Sequence, residues 1–319
     1  MSETMLGIVG FLTIGMVIFL LLRNIAIPSL AFITASTITS VILVLTGTFK
    51  LNEVGEFIKL GVGGTSPTAC LFLFSVLFFG IMTDAGMFDR IINALVKKVG
   101  DNVVGVAVMT CIIAIIGHLD GSGASTFLIT IPAMLPIYKK LNMRPTTLML
   151  ICVTAMGVMN LMPWGGPTMR AASVVGIDAN VLWSKLMPMQ GVGLVVALLT
   201  AVIWGKIEVR RGAGAHAKLS TNIGNGYSED LDQEFNKEDK NNEFARPKNF
   251  LVNIILTLVL IISLVFLPVP TYLIFMVGCS LAIFINYPNV KLQSKIIKRH
   301  SEAAIMMSST LFSAGVFLG

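Results

Sequence analysis

Long apolar runs set what this chain can be. Stretches of about 17–25 residues, the length a helix needs to cross a hydrocarbon layer, lie at 5–22, 27–46, 186–205, 250–267, 270–287 and 303–319. A shorter run at 68–82 follows a Gly/Ser/Pro stretch and can also cross. Inside lipid every backbone N–H and C=O must be satisfied within the protein, so such runs fold as helices. With 55% hydrophobic and 13% charged residues and a mean hydropathy of +0.84, the chain reads as an all-α polytopic membrane protein. Amphipathic pieces at 51–60 and 87–98 are expected to lie along the interface. The N-terminus carries Glu3, no basic residue before Arg23 and no small-residue cleavage site, so residues 1–26 read as a first spanning helix rather than a signal peptide.

Two apolar stretches are broken in the middle by polar, glycine-rich sequence. Residues 103–140 contain His118-Leu119-Asp120-Gly121-Ser122-Gly123-Ala124-Ser125-Thr126, and residues 145–176 contain Asn160-Leu161-Met162-Pro163-Trp164-Gly165-Gly166-Pro167-Thr168. Broken backbone at membrane depth survives only where protein buries it or where it lines a watery cavity. Transporters build their substrate and ion sites from such breaks. Residues 103–140, with Asp101 before and Lys139 and Lys140 after, predict a re-entrant hairpin tipped at Gly121–Gly123. Residues 145–176 predict one crossing helix that unwinds. Gly121 and Gly123 let the chain reverse, and Ser122, Ser125 and Thr126 can cap the returning limb. Gly165 and Gly166 relax the second break, and Pro167 suits the start of the outgoing half-helix.

Two helices that begin near the midplane would each present about half a positive charge, which favours an anion between them. The carbonyls and hydroxyls left at the incoming ends suit a small hard cation. Asp84, His118, Asp120 and Arg170 are ionisable residues at depth, each costing about 2.5–3.5 kcal/mol on insertion scales and so needing a partner or a task. Arg170, expected in the first turn of the outgoing half-helix, could fork onto a carboxylate; the alternative is an ion pair with Asp120. Asp120 and His118 are the candidates for proton coupling, against a packing role for His118. Asp84 is expected at the interface. Trp164 either walls the site or anchors packing. Cys70, Cys111, Cys152 and Cys279 lie singly in apolar sequence and read as packed thiols.

Basic residues give the orientation. With the N-terminus on one side, 103–140 re-entrant and every other run crossing, 19 of the 23 Lys and Arg residues fall on the opposite side. By the positive-inside rule that side is the cytoplasm and the N-terminus is outside. The polar segment 208–248 is then a cytoplasmic loop. A faint repeat at a spacing of about 240 residues matches Ile27-Pro28-Ser29 to Val269-Pro270-Thr271, Phe49-Lys50-Leu51 to Val290-Lys291-Leu292 and Phe78-Phe79-Gly80 to Phe317-Leu318-Gly319. The predicted organisation is therefore a helix at 1–26, a first repeat at 27–207, the loop, and the start of a second, inverted repeat at 249–319, cut short before any counterpart of the polar motifs.

At 118–136 (HLDGSGASTFLITIPAMLP) and 160–173 (NLMPWGGPTMRAAS) the chain resembles the citrate–divalent metal/proton symporter family of the ion transporter superfamily. The resemblance extends over most of residues 1–319. It implies proton-driven uptake of citrate complexed with a metal such as Mg²⁺ or Ca²⁺, with no cofactor beyond the metal carried with the substrate. It places the substrate at Asp120, Gly121, Ser122, Gly123, Ser125 and Thr126 and at Pro163, Trp164, Gly165, Gly166, Pro167 and Thr168, to which Asn160 and Arg170 are added. The expected partners are the metal–citrate complex, protons and membrane lipid, with a homodimer as candidate assembly and no nucleic acid. A sodium-coupled dicarboxylate or sugar-acid carrier is the alternative within transport. A membrane-embedded enzyme is disfavoured: His118, His216 and His300 lie far apart, and neither a His-Glu-x-x-His set nor a Gly-x-Ser-x-Gly elbow occurs.

Overall fold

The protein is described by a computed structural model covering residues 2–96, 102–121, 123–214, 243–267 and 269–319, without the side chains of Ala124 and Ser125. These residues form twelve α-helices: α1 (Glu3–Leu22), α2 (Pro28–Leu45), α3 (Leu51–Asp84), α4 (Met87–Val96), α5 (Val103–Gly117), α6 (Gly123–Lys140), α7 (Pro145–Met159), α8 (Gly166–Val175), α9 (Ala179–Arg210), α10 (Phe250–Phe266), α11 (Thr271–Asn286) and α12 (Val290–Leu318). Among the described residues six helices are long and apolar enough to cross a membrane: α1, α2, α3, α9, α10 with the short turn preceding it, and α12. Most of the loop expected at 208–248 lies outside the described residues, as do Lys97 and Lys98.

Two boundaries differ from the expectation. The interfacial helix at 51–60 and the run at 68–82 are one helix of 34 residues, continuous through the Gly/Ser/Pro stretch. Ser66 donates its hydroxyl to Val62 O at 2.6 Å, and Thr65 turns back onto the same turn of helix, so these polar side chains are satisfied by their own helix. Packing supplies the rest. A Cβ on Gly61 would collide with the backbone of Gly315 and Gly319, so α3 and α12 approach closely through small residues, as apolar helices do where lipid offers no drive to associate. The second difference is length: the runs at 186–205 and 303–319 are the inner parts of helices beginning at Ala179 and Val290.

α12 runs antiparallel to α3. Gly315 and Gly319 face Gly61, the Ser308 hydroxyl donates to Ala69 O at 3.2 Å, and His300 meets Asp84. α3 also packs on α11, while α12 packs on α2. A second group of helices, α5, α6, α7 and α9, carries both polar motifs. There α5 and α6 form an antiparallel hairpin, with Thr110 of one bonded to the Tyr138 hydroxyl of the other at 3.0 Å. Both hairpin ends lie against the C-terminal end of α9. A Cβ on Gly205 would come within 2.9 Å of the Val104 Cα, and Gly214 N–H donates to Leu141 O at 2.9 Å.

Candidate functional site

The two polar motifs meet. α5 ends at Gly117, His118 caps it, and the chain turns through Gly121, whose φ of +75° is the left-handed conformation that glycine adopts without strain. α7 ends at Met159, and the chain leaves helical geometry from Asn160 until α8 begins at Gly166. This break starts opposite the middle of α9, where Val158 fills the notch at Gly193. At 1.5 Å per residue that level is roughly 22 Å from Glu208 near the end of α9.

Three contacts tie the turns together. The His118 ring, fully buried, sits with Nδ1 2.7 Å from Thr126 Oγ1 and Nε2 3.2 Å from Asn160 Oδ1. The Trp164 indole N–H donates to Leu119 O at 2.7 Å. Gly121 lies so close to Trp164 that a Cβ would stand 3.0 Å from its carbonyl oxygen. Within the second break, the Thr168 hydroxyl donates to Asn160 O at 3.1 Å, and Gly165 lets the chain fold over the same carbonyl. The Trp164 ring is enclosed by Phe79 of α3 and Phe275 of α11, at centroid distances of 5.5 and 5.4 Å. The break is thereby seated on the long-helix group.

The expected site residues distribute as follows. His118, Thr126, Pro163, Trp164, Gly165, Gly166 and Thr168 are buried, Asp120, Gly121, Gly123 and Asn160 are half-buried, and Pro167 and Arg170 are exposed. Asp120 is not without an interaction partner. Ser122 and the Ser125 side chain lie outside the described residues. Thr126, expected as a cap, bonds the His118 ring. Arg170 is the fifth residue of α8 rather than a first-turn residue, and its Nε donates back to Gly166 O at 3.1 Å. The alternative ion pair with Asp120 is absent among the described residues. Asp84 is the last residue of α3, at a helix end as expected, and its side chain is buried. Its Oδ2 accepts from Arg299 Nε at 3.1 Å and His300 Nε2 at 3.0 Å. The four cysteines are free, three of them buried and Cys70 half-buried.

Sequence reasoning missed the anchor under the motifs. Glu208 of α9, almost fully buried, accepts on one oxygen from Arg144 Nε and Thr147 Oγ1, both at 2.6 Å. Arg144 and Thr147 flank the start of α7, so this ion pair fixes the link between hairpin and broken helix. The partners are 64 residues apart, and no local pattern marks them. Among the described residues no three His, Cys, Asp or Glu side chains group as a metal site; the polar groups of the two turns are hydroxyls, backbone amides, His118, Asp120, Asn160 and Arg170.

A family model described as the citrate transporter (CitMHS) matches residues 5–319. Over 99% of its length the chain is 36% identical to the Mg(2+)/citrate complex secondary transporter of Bacillus subtilis (strain 168), covering 70% of that protein. It is 32% identical, with the same two coverages, to a citrate transporter of that organism. It is 33% identical, again over 99% of the chain and 70% of the relative, to that organism's uncharacterized transporter YraO. These relatives are transporters and not enzymes, and the many apolar helices agree with a multi-pass membrane location. The chain belongs to the citrate transporter family.

Proposed function

We propose that this chain imports citrate as a complex with a divalent metal, Mg²⁺ or Ca²⁺, coupled to protons, on an inverted-repeat scaffold. The observation that carries the reading is the contact between the two polar turns: both helix breaks meet at mid-height of α9, within one apolar group of helices. The three carboxyl groups of citrate are ionised near neutral pH, and moving that charge bare through hydrocarbon is costly. Among the described residues the site offers one nearby cation, Arg170, with the amides of two helix starts. A divalent metal bound to the citrate removes most of the excess charge, so the complex suits the site better than the bare anion. The Mg(2+)/citrate specificity in the name of the 36%-identical relative supports the same assignment. Asp120 is the residue proposed to carry the coupled proton.

The site is proposed to lie near the membrane midplane, with the hairpin ends and the 208–248 loop cytoplasmic and the N-terminus outside. The ends assigned to the cytoplasm contact one another in the fold: Leu141 with Gly214, Arg144 with Glu208, Arg90 with Pro247, and Asp84 with His300. Radiolabelled citrate uptake into proteoliposomes, with Mg²⁺ or Ca²⁺, with EDTA, and with an uncoupler, tests the reading. Uptake should need the metal and collapse with EDTA or uncoupler, and Asp120→Asn should remove the uncoupler sensitivity or abolish uptake. Robust uptake in EDTA would refute the metal complex, and dependence on Na⁺ in place of a proton gradient would refute the coupling.

A further inference from the structure

We propose that His118 sets the hydrogen-bonding polarity of the site, holding Asn160 so that its amide Nδ2–H₂ faces a substrate carboxylate. This rests on the metal–citrate reading and assigns the surface that meets the anion. Both ring nitrogens of His118 are occupied, Nε2 by Asn160 Oδ1 and Nδ1 by Thr126 Oγ1. An amide oxygen only accepts, so Nε2 carries the hydrogen. The Nδ1 of the neutral ring then accepts the Thr126 hydroxyl proton. The ring is fully buried, and its two bonds fix its rotation.

The consequence falls on Asn160. Its side-chain oxygen is taken by His118, its backbone carbonyl by Thr168, and its backbone N–H by Met156 O. Only the two Nδ2 hydrogens are left to offer, with no partner among the described residues, on a half-buried residue that a ligand can reach. Two donors without an acceptor fit a carboxylate and repel a bare cation. The metal of a bound complex therefore sits away from Asn160, and the citrate end of the complex faces it. The other tautomer, with the hydrogen on Nδ1, would make Nε2 an acceptor, turn the amide oxygen outward and reverse that preference. His118 is accordingly a positioning residue, acting on the substrate through Asn160.

Two measurements test this. Nitrogen-15 NMR of histidine-labelled full chain in lipid bilayers, with the His118→Gln variant identifying the signal, should show Nε2 protonated and Nδ1 bare. The opposite tautomer, or a doubly protonated ring at neutral pH, overturns the proposal whether or not citrate is transported. Asn160→Asp keeps an oxygen for His118 and replaces the outward donor with a charged acceptor. At equal membrane expression it should raise the KM for metal–citrate at least tenfold (about 1.4 kcal/mol) with kcat changed far less. His118→Gln should raise KM while the pH profile of uptake keeps its shape. An unchanged or lowered KM in Asn160→Asp, or a pH profile flattened by His118→Gln, overturns the assignment. Absence of citrate uptake by the wild type would fall on the functional reading, and the NMR result would still decide the tautomer of the ring.

Discussion

The adjacent glycines Gly165 and Gly166 are equivalent by composition and should respond in opposite ways to alanine. At Gly165 the backbone (φ −69°, ψ 135°) is open to any residue, so the whole penalty is steric. A Cβ there would overlap the Asn160 carbonyl oxygen, stand 2.9 Å from the Asn160 carbonyl carbon and 3.0 Å from Met162 O. Even the carbon contact is about 0.5 Å short of the 3.4 Å at which ordinary contact begins. All three atoms are backbone, and the Asn160 carbonyl is also held by Thr168, so no side chain can swing aside. Overpacking of this kind costs about 1–3 kcal/mol, which corresponds to about 5- to 150-fold in the folded ratio.

At Gly166 the added methyl meets the tip of Arg170 at 3.1 Å and Phe72 at 3.9 Å. The guanidinium is the exposed far end of a long side chain and can shift aside, so Gly166→Ala should stay within about 0.5 kcal/mol of wild type. Thermal unfolding of the purified variants in one detergent measures the contrast. Gly165→Ala should melt several degrees below wild type, and Gly166→Ala should not. Equal melting of the two variants would show that the close approach at Asn160 does not hold the break together.

Trp164→Phe keeps the stack on Phe79 and Phe275 but leaves Leu119 O without its donor, so it should cost about 1–3 kcal/mol, read in the same melts; no loss would mean that the indole N–H does not tie the turns. Glu208→Gln removes the charge facing Arg144; because Arg144 is 36% exposed, the loss should be about 1–3 kcal/mol rather than the larger cost of a sealed pair, and restoration by Glu208→Asp would mark the charge as the cause. In a Cys70→Ser background, Ala69→Cys with Ser308→Cys should cross-link under mild oxidation, and failure to do so would contradict the α3–α12 crossing. Single cysteines at Asn102 and Asn142 should both react with an impermeant thiol reagent only from the cytoplasmic side; labelling of either from outside would remove the re-entrant hairpin.

Helix positions and the two breaks were legible because they rest on composition over many residues: apolar length marks a helix, and glycine with polar side chains marks its interruption. What composition could not show was a decision made by packing. The Gly61–Pro67 stretch separates the pieces expected at 51–60 and 68–82, yet it is helical. Its glycine admits α12, and its hydroxyls bond their own turn. Glycine before α6, at Gly121, does turn the chain, because there the turn gains Asn160 and Trp164 as partners from the second break. Arg170 was placed on the correct half-helix, but the direction of a long side chain depends on its rotamer, and it folds back on Gly166. The pairs Arg144–Glu208 and Asp84–His300 join residues 64 and 216 positions apart, a distance across which charge patterns carry no signal.

The proposed inverted repeat finds support in one contact. The helices α1, α2 and α3 have counterparts of similar length and order in α10, α11 and α12. The matched tripeptides in α2, α3 and their counterparts sit 239–242 residues apart. Where α3 crosses α12, Ser308 bonds Ala69, a separation of 239 residues, so the crossing point joins a position to its own copy. When two copies exchange by a two-fold rotation, only a contact on the axis maps onto itself, and the two strands of such a contact run antiparallel if the axis lies in the membrane plane. α3 and α12 do run antiparallel, and the surrounding packing exchanges as the rotation requires, with α3 against α11 and α12 against α2. The small residues at this crossing then have a geometric reason: a helix that packs against its own copy at the axis needs a side-chain surface that fits itself, and Gly61, Ala69, Ser308 and Gly315 supply little bulk to avoid.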